Sequence, residues 1–399
     1  VPNGLTRQAW RKGDLEQGFR EADLVLEHTF RIPARHQGYI EPHVGTVAID
    51  NDGRIQVWTS TKAPFATRNQ LAQAVGVPQT SIRLNVVNVG GDFGGKGDAL
   101  DLPVAYFLAQ QSGRPVKIVM TYAEELMAGN PGHPTVVTVR SGVKRDGRIV
   151  ARYLRAVHAS GAYGALKGNA CLPTWHYVGG PYRVDNAFFE FLQVYTNTVP
   201  GGYFRGPGAL QTYFALESHT DIIARELGMD PAEFRLRNLV GEEEEDAIGQ
   251  RLRSVRFREV LQAALDAAGW KRPKRGRNYG RGVALFGRHI GGGPTGVILS
   301  AEANGSFTVV SPTFDQGAGT HTILRQLVAE EMRVSIEQVR VMVGDTDTAP
   351  NDGGARASRV TYVAGRAIVQ ACGQLREQLI AQAARMLECS PEEADYGDG

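Results

Sequence analysis

Cysteine is scarce: three residues in 399, Cys171, Cys372 and Cys389, none of them in a C-x-x-C pair. Such a set does not encode a four-thiolate iron–sulfur cluster or a zinc site. A sparse, odd count also suits a reducing compartment, so a cytoplasmic protein is expected. Long hydrophobic runs are missing too, and none approaches the roughly 18–20 residues of a membrane span. Neither sign of charge is in excess, with 44 Lys and Arg against 42 Asp and Glu and a formal net charge of +2. That balance argues against nucleic acid or a membrane surface as the main partner. The nine histidines show no metal-ligand spacing. No secretory signal opens the chain, and "VPNGLTRQAW", without an initiator Met, reads as a cut inside a longer protein.

Glycine is abundant instead: 48 residues, about 12% where ~7% is usual. The glycines cluster in short loops after apolar runs, which predicts backbone brought close to something. "GTVAIDNDGRIQVWTS" (45–60) alternates about an Asn-Asp-Gly turn and predicts a hairpin. A helix over 65–76, a strand over 81–89, a glycine loop and a helix over 101–113 follow. The same order recurs over 296–370, with a hairpin about Asn304-Gly305, a helix, a strand, "APNDGGARAS" and another helix. This repeat predicts an α+β fold of two related lobes holding a ligand between them. The boundaries read as 1–240 for the first lobe, 241–282 for a charged linker with one helix, and 283–399 for the second lobe, incomplete at its C-terminus.

Three glycine-framed loops are candidates for chemistry. "NVGGDFGGKGDAL" (88–100) contains the opening of a phosphate-binding P-loop, but Gly97 stands where a magnesium-binding hydroxyl is needed. A plain tight turn is a second reading, and a cradle of backbone N–H groups for a polar or anionic cofactor is a third. In "NTVPGGYFRGPGALQTYFALE" (197–217), Arg205 sits between glycines just before a helix, suited to an anion or to a surface ion pair. In "TFDQGAGTHT" (313–322), the Gln316 amide can bond donors and acceptors of a heterocycle or simply cap the helix.

Taken together these loops resemble those of the molybdenum hydroxylases, the xanthine dehydrogenase and aldehyde oxidase family. "GGDFGGK" resembles the family's GGGFGGK loop, and "YFRGPGALQ" its FRGFGGPQ loop with "ESHTDIIARELGMDPAEFRLRNL" downstream. "HQGYIEPH" (36–43) resembles its Glu-Pro segment and "DTDTAPNDGGARAS" (345–358) a later cofactor loop, in family order over nearly the whole chain.

The resemblance implies Mo-molybdopterin, alone or as a dinucleotide, bound through Gly91, Phe93, Gly94, Arg205, Gln316, Gly317, Ala357 and Ser358. Phe93 matches the phenylalanine whose peptide N–H faces the molybdenum centre, and the metal itself takes no protein ligand. The implied reaction hydroxylates an aldehyde or N-heterocycle with water as oxygen source. Electrons then leave through [2Fe-2S] clusters to FAD on partner chains or domains of a dimeric complex. The general-base glutamate is expected beyond Gly399, so no catalytic residue is assigned here, and Glu41 beside Pro42 reads as structural. A non-catalytic assembly module, or an inactive fragment, is the alternative. Three departures bear on substrate: Gly97 and Pro207 stand where purine-oxidising members carry a glutamate and an aromatic, and the arginine loop lacks the cysteine of CO-oxidising members. The family's G-Q-G glutamine is replaced by Ala318, with Gln316 two residues earlier.

Overall fold

The computed structural model describes residues 2–163, 179–273, 276–287 and 290–397; Val1, Cys171 and Gly399 lie outside them. Two compact units emerge, one from Val1–His36 with Asn130–His289, the other from Gln37–Gly129 with Ile290–Gly399. The chain opens in the first unit with β1 (Gly4–Lys12), α1 (Leu15–Glu21) and β2 (Leu24–Ile32). It continues in the second with β3 (Val44–Ile49), β4 (Ile55–Thr59), α2 (Pro64–Val75), β5 (Ile82–Asn85), α3 (Leu102–Ser112), β6 (Val116–Val119) and α4 (Tyr122–Ala128). The first unit resumes with β7 (Thr135–Val143), β8 (Ile149–Ala159), β9 (Asn186–Val194), α5 (Ala209–Glu226), α6 (Pro231–Asn238) and α7 (Phe257–Ala267). The second is completed by β10 (Ile298–Ala301), β11 (Phe307–Ser311), α8 (Thr320–Glu331), β12 (Val339–Val343) and α9 (Gly365–Leu387).

In the first unit the strands run β1-β9-β8-β7-β2, antiparallel except for the β8–β9 pair. Strand alternation divides the two faces. Leu154 and Ala156 of β8 join Phe189, Phe191 and the α5 residues Leu216 and Ile223, whereas Ala151 and Tyr153 lie with Leu15 and Phe19 of α1. Arg235, fully buried on α6, donates to Glu217 at 2.9 Å and Asp221 at 2.7 Å on α5, which fixes the two helices together. Within the charged stretch 241–282, α7 turns Leu261 and Leu265 into the same core.

The second unit holds a four-stranded sheet, β5-β4-β3-β6, and a three-stranded sheet, β10-β11-β12. Both copies of the repeated motif lie here. The β3–β4 hairpin leads through α2 and a 3-10 turn (Gln79–Ser81) to β5, parallel to β4; the β10–β11 hairpin leads through α8 and a 3-10 turn (Ile336–Gln338) to β12, parallel to β11. Helices α2 and α3 cover the first sheet with Leu71, Leu102 and Ala105, and α8 and α9 cover the second with Leu324, Val328 and Ile368. Gly76 and Gly113 end α2 and α3 in left-handed conformations, which relieves the last carbonyls at no Cβ cost. After β5 and after β12 the chain leaves its sheet in a glycine-rich loop. Among the described residues no helix is long and apolar enough to cross a membrane.

Candidate functional site

The glycine loops of the second unit converge. The Val89 N–H donates to the Asp315 carbonyl at 3.1 Å, and Val89, Phe314 and Ala355 share a small buried cluster. The Ala355 N–H donates to the Lys62 carbonyl at 2.9 Å, and the Lys62 N–H to the Lys96 carbonyl at 3.1 Å. Gly91, Phe93, Gly94, Gln316, Gly317, Ala357 and Ser358 therefore sit on loops fastened to one another. Arg205 belongs to the first unit, exposed on the loop that enters α5, where Gly206 and Gly208 take φ of +72° and +75°. Beside it, the Arg35 guanidinium stands 5.5 Å above the Phe204 ring.

The first loop is organised by side chains that no motif announces. Asp92, buried, accepts from the Gly94 N–H at 2.8 Å and the Lys96 N–H at 2.7 Å, and from the Lys62 ammonium at 3.1 Å. Lys62 also donates to the Gly94 carbonyl at 2.7 Å. Beneath the loop lies Tyr39. A Cβ at Gly95 would stand 2.7 Å from its ring, and one at Gly90 would stand 2.5 Å from the Glu41 Cβ. The close approach expected at these two glycines is thus to the chain's own 39–41 segment. Glu41 accepts from the Gly90 N–H at 2.9 Å and from Lys96 Nζ at 2.5 Å. Lys96 is fully buried 4.7 Å from the Tyr39 ring centre. Burial pushes its pKa down, against the pull of Glu41.

Tyr39 is itself anchored. Its hydroxyl donates to Glu125, which also accepts from the His43 backbone N–H at 2.7 Å and lies 2.9 Å from His43 Nδ1. Burial alone would raise the Glu125 carboxyl, but the hydrogen bonds from His43 and Tyr39 outweigh it and hold the pKa at about 2. Burial and the neighbouring carboxylate push the Tyr39 hydroxyl well up, so it stays a donor.

The later loop is held by Arg359, buried and paired with Asp352 at 3.0 Å. It also donates to the carbonyls of Gly292, Gly293, Pro294 and Gly354. Gly354 has no alternative residue: at φ +88° its Cβ would fall 2.4 Å from the Lys62 carbonyl oxygen.

What remains unbonded defines what the loops can hold. Among the described residues the N–H groups of Phe93 and Ala357 have no acceptor, and the buried Gln316 Oε1 has no donor. Phe93, Ala357 and Ser358 take φ of +46°, +48° and +57°, left-handed values that cost a non-glycine residue about 1 kcal/mol or more. Strained amides with free N–H groups, on loops linked to one that carries an orphan amide oxygen, suit a polar, anionic heterocycle. The set fits a pterin bearing its own metal, and among the described residues no group of three or more His, Cys, Asp or Glu could hold a metal ion by itself. Sequence reasoning missed Lys62, Asp92, Arg359 and the Tyr39–Glu125–His43 cluster. The Asp in "GGDFGGK", where the resembled loop has Gly, is the one sequence signal that pointed to any of them.

This α+β fold with its converging glycine loops is that of a cofactor-binding domain, and the family can be stated. Family models described as a molybdopterin cofactor-binding domain match residues 1–239 and 258–399, and the chain belongs to that family. A probable xanthine dehydrogenase subunit of Bacillus subtilis (strain 168) is 32% identical over 404 residues, covering 98% of this chain and 54% of its own length. The putative xanthine dehydrogenase molybdenum-binding subunit of Escherichia coli (strain K12) is 32% identical over 403 residues, covering 97% and 54%. The crystal structure of quinoline 2-oxidoreductase from Pseudomonas putida 86 shares the fold at a TM-score of 0.89 and 24% identity, covering 100% of this chain and 54% of that one. The chain thus spans about half the length of the curated relatives it matches.

Proposed function

We propose that this chain is the cofactor-binding portion of a molybdenum hydroxylase that oxidises an aldehyde or aromatic N-heterocycle with oxygen from water. The observation that carries the reading is the fastening of loop 88–97 to loop 313–319 through Val89 and Asp315 and to loop 352–358 through Lys62, with the Phe93 and Ala357 amides left free to donate. Gly91, Phe93 and Gly94 would present backbone to the metal end of the cofactor. Gln316, Gly317, Ala357 and Ser358 would hold the pterin. When bound, the cofactor supplies two-electron oxidation of the substrate carbon. The chain's part is to bind it, orient it and hold the Phe93 and Ala357 amides fixed. Segments 1–240 and 283–399, with 241–282 between them in sequence, would each contribute cofactor-binding residues. FAD and [2Fe-2S] clusters on partner chains or domains complete a dimeric cytoplasmic complex. Acid release of molybdopterin as its fluorescent oxidised derivative, from the complete subunit in its complex, tests the reading. About one equivalent per chain is expected, and none would leave the assembly-module alternative.

Within that reading purines should be poor substrates. A side chain at residue 97 would meet Lys62, whose Cε lies 2.9 Å from a Cβ built there, so the lysine fills the space of the carboxylate that purine-oxidising members carry. Pro207 offers no stacking face. A missing partner for a buried polar substrate costs ~1–3 kcal/mol, so kcat/KM for xanthine should fall about tenfold or more below that for quinoline or a simple aldehyde. Xanthine turning over fastest would refute this, and the naming of curated relatives for xanthine makes the comparison sharp.

A further inference from the structure

Resting on the cofactor-binding reading above, we infer that Lys62 and Asp92 are a positioning pair, a buried latch that holds two glycine loops in register and keeps the Phe93 amide open to the ligand. Their side chains are 7% and 5% exposed and meet at 3.1 Å. Desolvating two charges usually offsets their attraction, and apolar residues of similar volume would often stabilise the fold as well or better. The gain from such a pair is conformational: it selects one arrangement.

Here the arrangement is specific. Asp92 takes the N–H groups of Gly94 and Lys96 on its two oxygens and leaves the N–H of Phe93, next to Gly94, with no acceptor among the described residues. Lys62 grips the same loop through the Gly94 carbonyl and, through its own carbonyl, the Ala355 N–H of the later loop. One residue thus bonds both loops, by side chain to the first and by backbone to the second. Gly354 permits this, because any side chain there would strike the Lys62 carbonyl. Asp92 is also where "GGDFGGK" departs from the GGGFGGK motif it resembles, so the latch is a feature of this chain's residues and not of the loop in general. With either partner neutral, Phe93 can relax from its left-handed φ and turn its amide away.

The test is a double-mutant cycle, Lys62→Met, Asp92→Asn and both together, in the complete subunit within its complex. Two quantities are read: the rate of molybdopterin release, and amide hydrogen exchange at Gly94 and Lys96 in cofactor-free protein, with β3 and β4 amides as the reference. Each single variant should release cofactor and exchange those two amides about tenfold faster, while the reference amides hold. The double variant should be no worse than either single one. Unchanged release and exchange in the single variants, or effects that simply add, would overturn the latch. Should Lys62→Met not fold, Lys62→Gln keeps a donor for the Gly94 carbonyl without the charge and is read by the same criteria. A wild type without molybdopterin would defeat the functional reading alone; the exchange rates would still decide the latch.

Discussion

Replacing Arg359 with methionine should cost about 3–5 kcal/mol of folding free energy and empty the cofactor site, because a buried cation serving two segments is lost at once. The guanidinium is 2% exposed and donates to five acceptors: Asp352 at 3.0 Å, and the carbonyls of Gly292 (3.1 Å), Gly293 (3.2 Å), Pro294 (2.6 Å) and Gly354 (3.0 Å). Methionine fills a similar volume but satisfies none of them. Asp352 is left buried without its cation, and the 290–294 turn loses its tie to the later loop. Against a typical 5–15 kcal/mol for a whole domain, that is a large fraction. Lysine should not rescue, since a single ammonium has three donors on one point and cannot span a planar fork of acceptors. Urea denaturation read by circular dichroism, together with molybdenum content, measures both effects. A methionine variant within 1 kcal/mol of wild type and fully loaded would show that these carbonyls find water as readily as arginine.

The contrast between what the sequence announced and what it concealed follows from range. Hairpins about Asp52-Gly53 and Asn304-Gly305, and helices ending at Gly76 and Gly113, are set by neighbouring residues, and the structure has them where local pattern puts them. The repeat was readable for the same reason, and the structure adds to each copy a 3-10 turn before β5 or β12 that the sequence reading did not contain. Sequence order suggested one copy per lobe, yet both copies share a unit. No local signal encodes that a chain leaving at residue 36 returns at 130. The candidate site divides along the same line. The loops declare themselves by glycine, whereas the side chains that shape them come from far away: Lys62 is 30 residues from Asp92, and Glu125 is 82 from His43. Even at the glycines the reason was half hidden, since Gly90 and Gly95 yield to Glu41 and Tyr39 rather than to a ligand. The Phe93 and Ala357 amides, which have no acceptor among the described residues, carry no sequence signature beyond a motif.

Acid should expose the support beneath the first loop. Glu125 is fully buried, and hydrogen bonds from His43 and Tyr39 hold its pKa at about 2 against an ordinary value of 4.5. A carboxyl depressed in the folded state contributes stability that is complete above its unfolded pKa and disappears as pH falls through the folded one. The window is therefore pH 4.5 down to about 2, and the contribution there is about 3 kcal/mol at 1.36 kcal/mol per unit. Glu125→Gln cannot carry the charge, and its amide brings donors against the Tyr39 hydroxyl and the His43 N–H, which are donors already. The variant should lose about 3 kcal/mol at pH 7, and its stability should then fall less steeply than wild type on acidification, by about one proton's slope between pH 4.5 and 2. Other carboxylates titrate in the same range, so the informative quantity is the difference between the two curves from urea melts at each pH. Tyr39 packs beneath Gly91 and Gly95, so the same substitution should loosen cofactor even at neutral pH, where the fold survives. Parallel acid limbs for variant and wild type would mean that Glu125 is not ionised in the folded protein and that the cluster is held by a shared proton instead.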